Sequence, residues 1–122
     1  MTHTMLLTPK PFDMIRRGEK TIELRLYDEK RRKVRIGDTI VFVNTENASD
    51  TLETKVTDLY IFDSFEELYS KLPLTECGYT PDDIDTASPK DMNVYYSEEQ
   101  QRKYGVVGIR VDRIAQHSPT EP

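Results

Sequence analysis

Residues 16–33, RRGEKTIELRLYDEKRRK, combine a predicted change of backbone with an unusual arrangement of charge. Gly18 stands where a helix would end in a left-handed cap. Residues 22–26 alternate apolar and polar side chains, which is the period of a half-buried strand. Because side chains two positions apart on a strand share a face, Glu23 and Arg25 project to the same side. The stretch therefore predicts a helix–turn–strand unit with charged groups on one strand face.

The rest of the chain supplies short helices and strands around this unit. Thr8 followed by Pro9 is typical of a helix start, and Ser64 with Glu67 matches a capping box. The predicted helices are residues 9–17, one from Ser64 to just before Pro73, and two that begin at Thr80 and Ser97. The predicted strands are residues 21–27, 39–44, 52–62 and 105–111. Strands and helices do not alternate regularly, so the pattern favours an α+β protein on a small, mainly antiparallel sheet or barrel.

The composition is that of one folded domain. The 122 residues are 36% hydrophobic and 32% charged, and this length holds one core. No apolar run approaches the roughly 20 residues of a membrane helix, and the N-terminus lacks a signal-peptide pattern. A single cysteine, Cys77, excludes an intrachain disulfide and favours a reducing cytoplasm. We therefore expect a cytoplasmic protein without a membrane partner.

Charge is distributed unevenly along the chain. Residues 16–35 hold nine basic and four acidic side chains, although the whole chain has a net charge of -5. A basic segment in an acidic protein is a candidate contact for nucleic acid, because neutralised phosphates release counterions. A solvated loop is the alternative interpretation of the same run.

Lys20, Glu23 and Arg25 form the candidate reactive group. Lys20 lies at the start of the strand, so the three charged tips can converge at one end of a barrel. Such a group offers a cation for a phosphate or oxyanion and a carboxylate for a proton or a base edge. The alternative is a surface ion pair worth under about 1 kcal/mol.

Other chemistry has little support in the sequence. His3 and His117 lie near opposite ends of the chain, which argues against a paired-histidine metal site. Cys77 sits in an acidic segment that does not favour a thiolate. A glycine-rich phosphate loop is absent from the sequence, so we predict no metal and no cofactor. Residues 73–96 form a long, irregular excursion that is a candidate lid.

GEKTIELR, residues 18–25, matches the G-x-K-x-x-E-x-R signature of the ASCH domain family, which belongs to the PUA-like superfamily of small RNA-associated β-barrels. Residues 26–42, LYDEKRRKVRIGDTIVF, resemble the next segment of the family. Residues 95–111, YYSEEQQRKYGVVGIRV, resemble its closing helix and strand in the compact prokaryotic branch. The resemblance implies one ASCH domain over residues 1–114. Residues 115–122 show no apolar period, so we expect a disordered tail there.

The resemblance also implies a mostly antiparallel barrel flanked by short helices, with the signature residues lining a cleft. The positions of this sequence that match the signature are Lys20, Glu23 and Arg25, and the cleft would take a nucleotide or base. The basic residues that follow would hold the phosphate backbone, and Tyr27 would offer a stacking face. The basic residues are Lys30, Arg31, Arg32 and Lys33. Further stacking candidates are Tyr95 and Tyr96, and ordinary packing is the alternative for all three tyrosines.

Activities within the family differ. Some members resemble RNA-binding modules, one branch hydrolyses the acetyl group of N4-acetylcytidine, and some are reported to cleave RNA. The amidohydrolase branch uses a lysine and a threonine of the signature with a glutamate from elsewhere. Lys20 matches that lysine, but Glu23 stands where the threonine is, and Thr21 lies two positions away. A carboxylate cannot simply replace a hydroxyl nucleophile.

Three hypotheses follow. The first is a cytoplasmic protein that binds RNA or a nucleotide through the cleft and the basic residues. The second is a hydrolase of a modified nucleoside or of RNA, in which Lys20 stabilises an oxyanion and Glu23 is the general base. The third is a module whose acidic surface binds a protein partner. The sequence does not predict the oligomeric state.

Overall fold

A curled sheet of five strands forms a half-barrel in the computed structural model, which describes residues 1–114. The strands are β1 (Thr2–Leu7), β2 (Ile22–Leu26), β3 (Thr39–Asn44), β4 (Asn47–Phe62) and β5 (Val106–Arg113). The α-helices are α1 (Pro9–Arg16), α2 (Glu29–Arg32), α3 (Phe65–Lys71) and α4 (Glu98–Tyr104). Three 3₁₀ helices cover Leu74–Glu76, Ile84–Thr86 and Pro89–Val94. The predicted tail, residues 115–122, lies outside the described residues.

The strand order is β1-β3-β4-β5-β2. Strands β1 and β3 are parallel, and the other three pairings are antiparallel. The long strand β4 pairs with β3 through its first part and with β5 through its second part, and its register shifts between Val56 and Asp58. A bulge of this kind increases local twist and bends a strand. The predicted α+β class with a mostly antiparallel, barrel-like sheet is therefore confirmed.

Sequence patterns missed β1 and misplaced one helix. Strand β1 was not predicted, and it adds the single parallel pairing of the sheet within residues 1–114. The helix predicted from Thr80 is wrong, because residues 80–83 form a turn that leads to a short 3₁₀ helix. The carboxylate of Asp83 accepts hydrogen bonds from the backbone N–H and the hydroxyl of Thr80. Such local bonds compete with helical hydrogen bonding.

Two apolar clusters cover the two faces of the sheet. The first lies under α1 and includes Phe12, Ile40 and Phe42, which are 0–1% exposed. The second lies under α3 and includes Phe65 and Leu68. On β5, Val107, Ile109 and Val111 belong to the first cluster and Val106 belongs to the second, as expected for a strand buried on both faces.

The curl of the sheet brings its two edges together. Strands β1 and β2 stand at opposite ends of the strand order, yet Nη2 of Arg25 on β2 donates a hydrogen bond of 2.7 Å to the carbonyl oxygen of Leu6 on β1. Helix α1 and the turn at Gly18, whose φ of 79° suits glycine, connect these two strands directly. The space between the edges opens into a cleft.

Candidate functional site

A cleft of about 420 Å³ lies between the edge strands, helix α1 and the irregular segment 73–96. This volume lies within the usual range of small-molecule sites. Its lining includes the signature residues Lys20, Glu23 and Arg25, and four tyrosines from the opposite side. The tyrosines are Tyr69, Tyr79, Tyr95 and Tyr96.

The three signature residues form one charged group on the cleft floor. Nζ of Lys20 lies 2.8 Å from Oε1 of Glu23, and Nε of Arg25 lies 2.6 Å from Oε2 of the same carboxylate. The side chains are 10%, 5% and 12% exposed in the order Lys20, Glu23, Arg25. The predicted convergence is therefore present, and the alternative of a surface ion pair is wrong because the group is buried.

The ionised form of Glu23 is favoured by its two partners. Burial by itself raises the pKa of Glu23, but the positive charges and hydrogen bonds of Lys20 and Arg25 outweigh it, so the pKa lies below the ordinary value of 4.5. For Arg25, burial lowers the pKa, but the charge of the Glu23 carboxylate outweighs burial, so the pKa of Arg25 lies above its ordinary value. At neutral pH the floor therefore holds an ionised carboxylate between two cations.

Packing of the apolar side of β2 explains why these charges face the cleft. Residues Ile22, Leu24 and Leu26 face the second apolar cluster, so Glu23 and Arg25 project to the other side. The stem of Lys20 is covered by the backbone at Gly78, where an added Cβ would lie 3.4 Å from Lys20 Cδ. Gly78 also has a φ of 113°, which L-residues rarely adopt.

A chain of hydrogen bonds stabilises the tyrosine side of the cleft. The hydroxyl groups of Tyr69 and Tyr79 are 2.8 Å apart, and Tyr79 donates to Oδ2 of Asp91 at 2.6 Å. Burial, and then the hydrogen bond to Asp91, raises the pKa of Tyr79, so its hydroxyl stays protonated. Tyr96 stacks on Phe65 with ring centroids 6.2 Å apart. Sequence reasoning missed Tyr69, Tyr79 and Asp91. The long excursion 73–96 was its one signal for Tyr79 and Asp91, whereas Tyr69 lies on α3.

The basic residues after the signature stand apart from the cleft. They lie on and beside α2, which Asp28 caps through the N–H of Arg31. Arg31 also forms an ion pair with Asp28 at 3.1 Å. Arg32 lies 4.3 Å from the ring centroid of Tyr27 and donates to the carbonyl oxygen of Tyr104. The cleft lining includes neither Tyr27 nor any of the four basic residues Lys30, Arg31, Arg32 and Lys33.

Two other reactive side chains do not supply a nucleophile to the cleft. The hydroxyl of Thr21 donates to Oε1 of Glu76 at 2.9 Å, and Nη1 of Arg110 contacts the same oxygen at 2.7 Å. Thr21 is therefore engaged outside the cleft lining. Cys77 does line the cleft, but burial raises the pKa of its thiol to about 11, so it stays protonated and weakly nucleophilic.

Residues 1–114 contain neither a metal-binding cluster nor a membrane-spanning helix. No group of three or more His, Cys, Asp and Glu side chains in this part of the chain is placed to hold a metal ion. None of the helices within it is long and apolar enough to cross a bilayer.

A mixed, curled sheet of five strands that forms a half-barrel with several helices is a PUA-like α+β fold. The sequence profile of the ASCH domain matches residues 5–115, and the chain belongs to this RNA-associated family.

Solved structures agree with this assignment. The crystal structure of "hypothetical protein PH0355" is 34% identical, with a TM-score of 0.77, and the match covers 93% of this chain and 100% of that one. The solution structure of protein PF0455 from Pyrococcus furiosus is 31% identical, with a TM-score of 0.70 and coverage of 95% and 100%. The ASCH domain of Lactobacillus crispatus shares 13% identity and the fold, with a TM-score of 0.63 and coverage of 92% and 79%. No curated protein gave a significant match.

Proposed function

We propose that this protein binds single-stranded RNA and takes one unpaired base into the cleft. The observation that carries the proposal is the cleft floor, where an ionised carboxylate stands between two cations within hydrogen-bond distance. Such a floor presents donors and an acceptor to the polar edge of a base, which is how proteins read unpaired RNA.

The charge of the lining favours a base over a phosphate. Three cationic residues line the cleft, and three acidic ones balance them. The cations are Lys10, Lys20 and Arg25, and the acids are Glu23, Asp83 and Asp91. A neutral, partly apolar cavity attracts a neutral ring more than a dianion, because a buried phosphate needs an excess of positive charge.

The phosphate backbone is assigned to the basic surface on and beside α2, outside the cleft. Lys30 and Lys33 are exposed, and Arg31 and Arg32 lie on the same short helix. Cations of this kind position a nucleic acid through its phosphates without reading its sequence. In this proposal the cleft binds the base and the basic surface binds the phosphate backbone.

Hydrolysis is the second candidate function, because Lys20 and Glu23 stand close enough to act as an oxyanion donor and a base. Two observations argue against it. The lowered pKa of Glu23 makes it a weak base at neutral pH, and the Thr21 hydroxyl is bonded to Glu76. Mass spectrometry of products from N4-acetylcytidine and short RNA tests this alternative, and turnover that disappears in Glu23→Gln would establish it.

Binding is tested with Tyr95→Ala and fluorescence anisotropy of labelled single-stranded RNA. Tyr95 lines the cleft and is 69% exposed, so its removal spares the core. Stacking on an aromatic ring contributes roughly 1–3 kcal/mol per base, so we expect Kd to rise about fivefold or more. Val94→Ala is the matched control, because Val94 is 83% exposed and outside the lining.

Two results would contradict the proposal. One is the absence of salt-dependent RNA binding, since contacts with phosphates release counterions. The other is an equal effect of Tyr95→Ala and Val94→Ala, which would place bound RNA away from the cleft.

A further inference from the structure

The hydrogen-bonding groups on the cleft floor follow the order donor, acceptor, donor. Lys20 contacts Oε1 of Glu23 and Arg25 contacts Oε2, so the two cations flank the carboxylate from its two oxygens. An ammonium group has three N–H donors, a guanidinium has five, and each carboxylate oxygen has two acceptor sites. The described contacts of Arg25 use Nε and Nη2, so the group retains donors and acceptor sites for a ligand.

The four RNA bases differ in the order of the same groups along the Watson–Crick edge. Uracil presents acceptor, donor, acceptor: a ring N–H between two carbonyl oxygens. Cytosine presents donor, acceptor, acceptor, guanine presents acceptor, donor, donor, and adenine presents only a donor and an acceptor. Uracil alone complements the floor at all three positions.

We infer that the cleft selects uracil, an inference that rests on the proposed function. The ring N–H of uracil would donate to Glu23, and its two carbonyl oxygens would accept from Lys20 and Arg25. A cytosine placed in the same way would direct the lone pair of its ring nitrogen at the ionised carboxylate. Shifting cytosine to avoid this contact pairs two of its groups and leaves the third without a partner. An unpaired buried polar group costs more than the average hydrogen bond contributes.

Selectivity arises because the floor is both buried and already in place. Glu23 is 4% exposed, so water cannot easily replace a missing partner. The carboxylate is held on each side by a cation, and Arg25 is also held by the Leu6 carbonyl. A base with the wrong order therefore cannot rearrange the floor cheaply. Tyr95, which is exposed at the cleft, offers a ring surface that is indifferent to base identity.

The test compares labelled RNA hexamers by fluorescence anisotropy. The probes are hexauridylate, hexacytidylate, hexaadenylate and a hexamer of N3-methyluridine, which keeps both carbonyl oxygens and lacks the ring N–H. One good pair of hydrogen bonds to a base edge discriminates by roughly tenfold or more. We expect hexauridylate to bind at least about tenfold more tightly than each of the other three.

Glu23→Gln provides an independent arm. Its amide supplies a donor as well as an acceptor, so the preference for uracil over cytosine should fall toward one. Circular dichroism establishes whether this variant is folded. If it is not, the N3-methyluridine hexamer bound to the unmodified protein decides the question.

The outcomes separate this inference from the function on which it rests. Equal binding of hexauridylate and the N3-methylated hexamer overturns the inference, as does tighter binding of hexacytidylate or hexaadenylate. If RNA still binds and Tyr95→Ala still weakens it, the proposed function stands without uracil selectivity. If no RNA of any sequence binds, both proposals fail.

Discussion

At the scale of single residues, Lys20, Glu23 and Arg25 show how burial changes the meaning of charge. The same three groups on a solvated strand would contribute little. Inside the cleft Lys20 and Arg25 together compensate the desolvation of the Glu23 carboxylate. Removal of either cation leaves the buried carboxylate with only one partner in a medium of low dielectric constant. Stability and ligand recognition therefore depend on the same atoms.

Lys20→Met is expected to destabilise the protein by about 1–3 kcal/mol, because it removes a charged hydrogen bond to a buried carboxylate. The methionine keeps an unbranched stem that can pack against Gly78. Urea denaturation monitored by circular dichroism measures the change. Lys55→Met on the exposed side of β4 is the control, and a loss no larger than in this control would contradict a buried role for Lys20.

Asp38 is a second residue whose charge stabilises the fold. Its carboxylate accepts hydrogen bonds from His3 and from the N–H of Arg35, and it contacts the N-terminal ammonium. These contacts, of which the hydrogen bond to His3 is the largest, lower the pKa of Asp38 to about 2 from 3.8. A depressed pKa means that the stabilisation is present above pH 3.8 and is lost as the pH falls through about 2.

Asp38→Asn should therefore reduce the free energy of unfolding most above pH 3.8, and the difference from the unmodified protein should shrink below that pH and be lost as the pH falls through about 2. Thermal unfolding in steps of pH between these limits measures this. Asp82→Asn, at an exposed position, is the control. A difference independent of pH would show that the charge of Asp38 is not responsible.

At the scale of elements, β5 lies between β4 and β2 and is buried on both faces. Gly108 lets helix α3 approach this strand closely. A Cβ at this position would lie 2.8 Å from Leu72 Cδ1 and 3.2 Å from Ile22 Cγ2. The glycine thus sets how near the end of α3 can pack to the sheet.

Gly108→Ala is expected to destabilise the protein by about 1–3 kcal/mol through overpacking. The matched experiment is a double-mutant cycle with Leu72→Ala, which removes the side chain that the new Cβ would meet. Denaturant unfolding should show a smaller cost of Gly108→Ala in the Leu72→Ala background. Equal costs in both backgrounds would contradict the predicted clash.

At the scale of the whole molecule, the cleft has two walls that come from distant parts of the chain. Segment 73–96 supplies three tyrosines of one wall, α3 supplies the fourth, Tyr69, and the segment is attached to the sheet through Glu76. The backbone carbonyl of Glu76 accepts from the N–H of Thr21, and its carboxylate contacts Thr21 and Arg110. The hydrogen bond from Arg110, followed by that from Thr21, lowers the pKa of Glu76, so the attachment is charged at neutral pH.

Glu76→Ala should loosen this segment while leaving the sheet intact. The carboxylate is 40% exposed, so its contacts are partly screened and we expect amide exchange around residues 74–79 to rise only about two- to fivefold. Hydrogen exchange followed by mass spectrometry measures this. Glu66→Ala, at an exposed position of α3, is the control, and identical exchange in the two variants would show that Glu76 does not anchor the segment.

The sequence by itself determined the α+β class, strands β2 to β5, helices α1, α3 and α4, and the shared strand face of Glu23 and Arg25, while it left open whether these charges converge with Lys20 or form a surface ion pair. These features follow from local periodicity, capping residues and the two-residue repeat of a strand, all of which are written within a few neighbouring positions. The family resemblance added the cleft that the three residues line.

Only the tertiary structure decided what surrounds them. Strand β1 gains its place by pairing with β3 and by contacting Arg25 across the curl, and the tyrosine wall comes from residues 69–96, far along the chain from the charged group. No local pattern encodes such contacts, because they depend on how a twisted sheet closes on itself. The same closure buries the Glu23 carboxylate between two cations, and thereby makes a charged strand face into a candidate binding site.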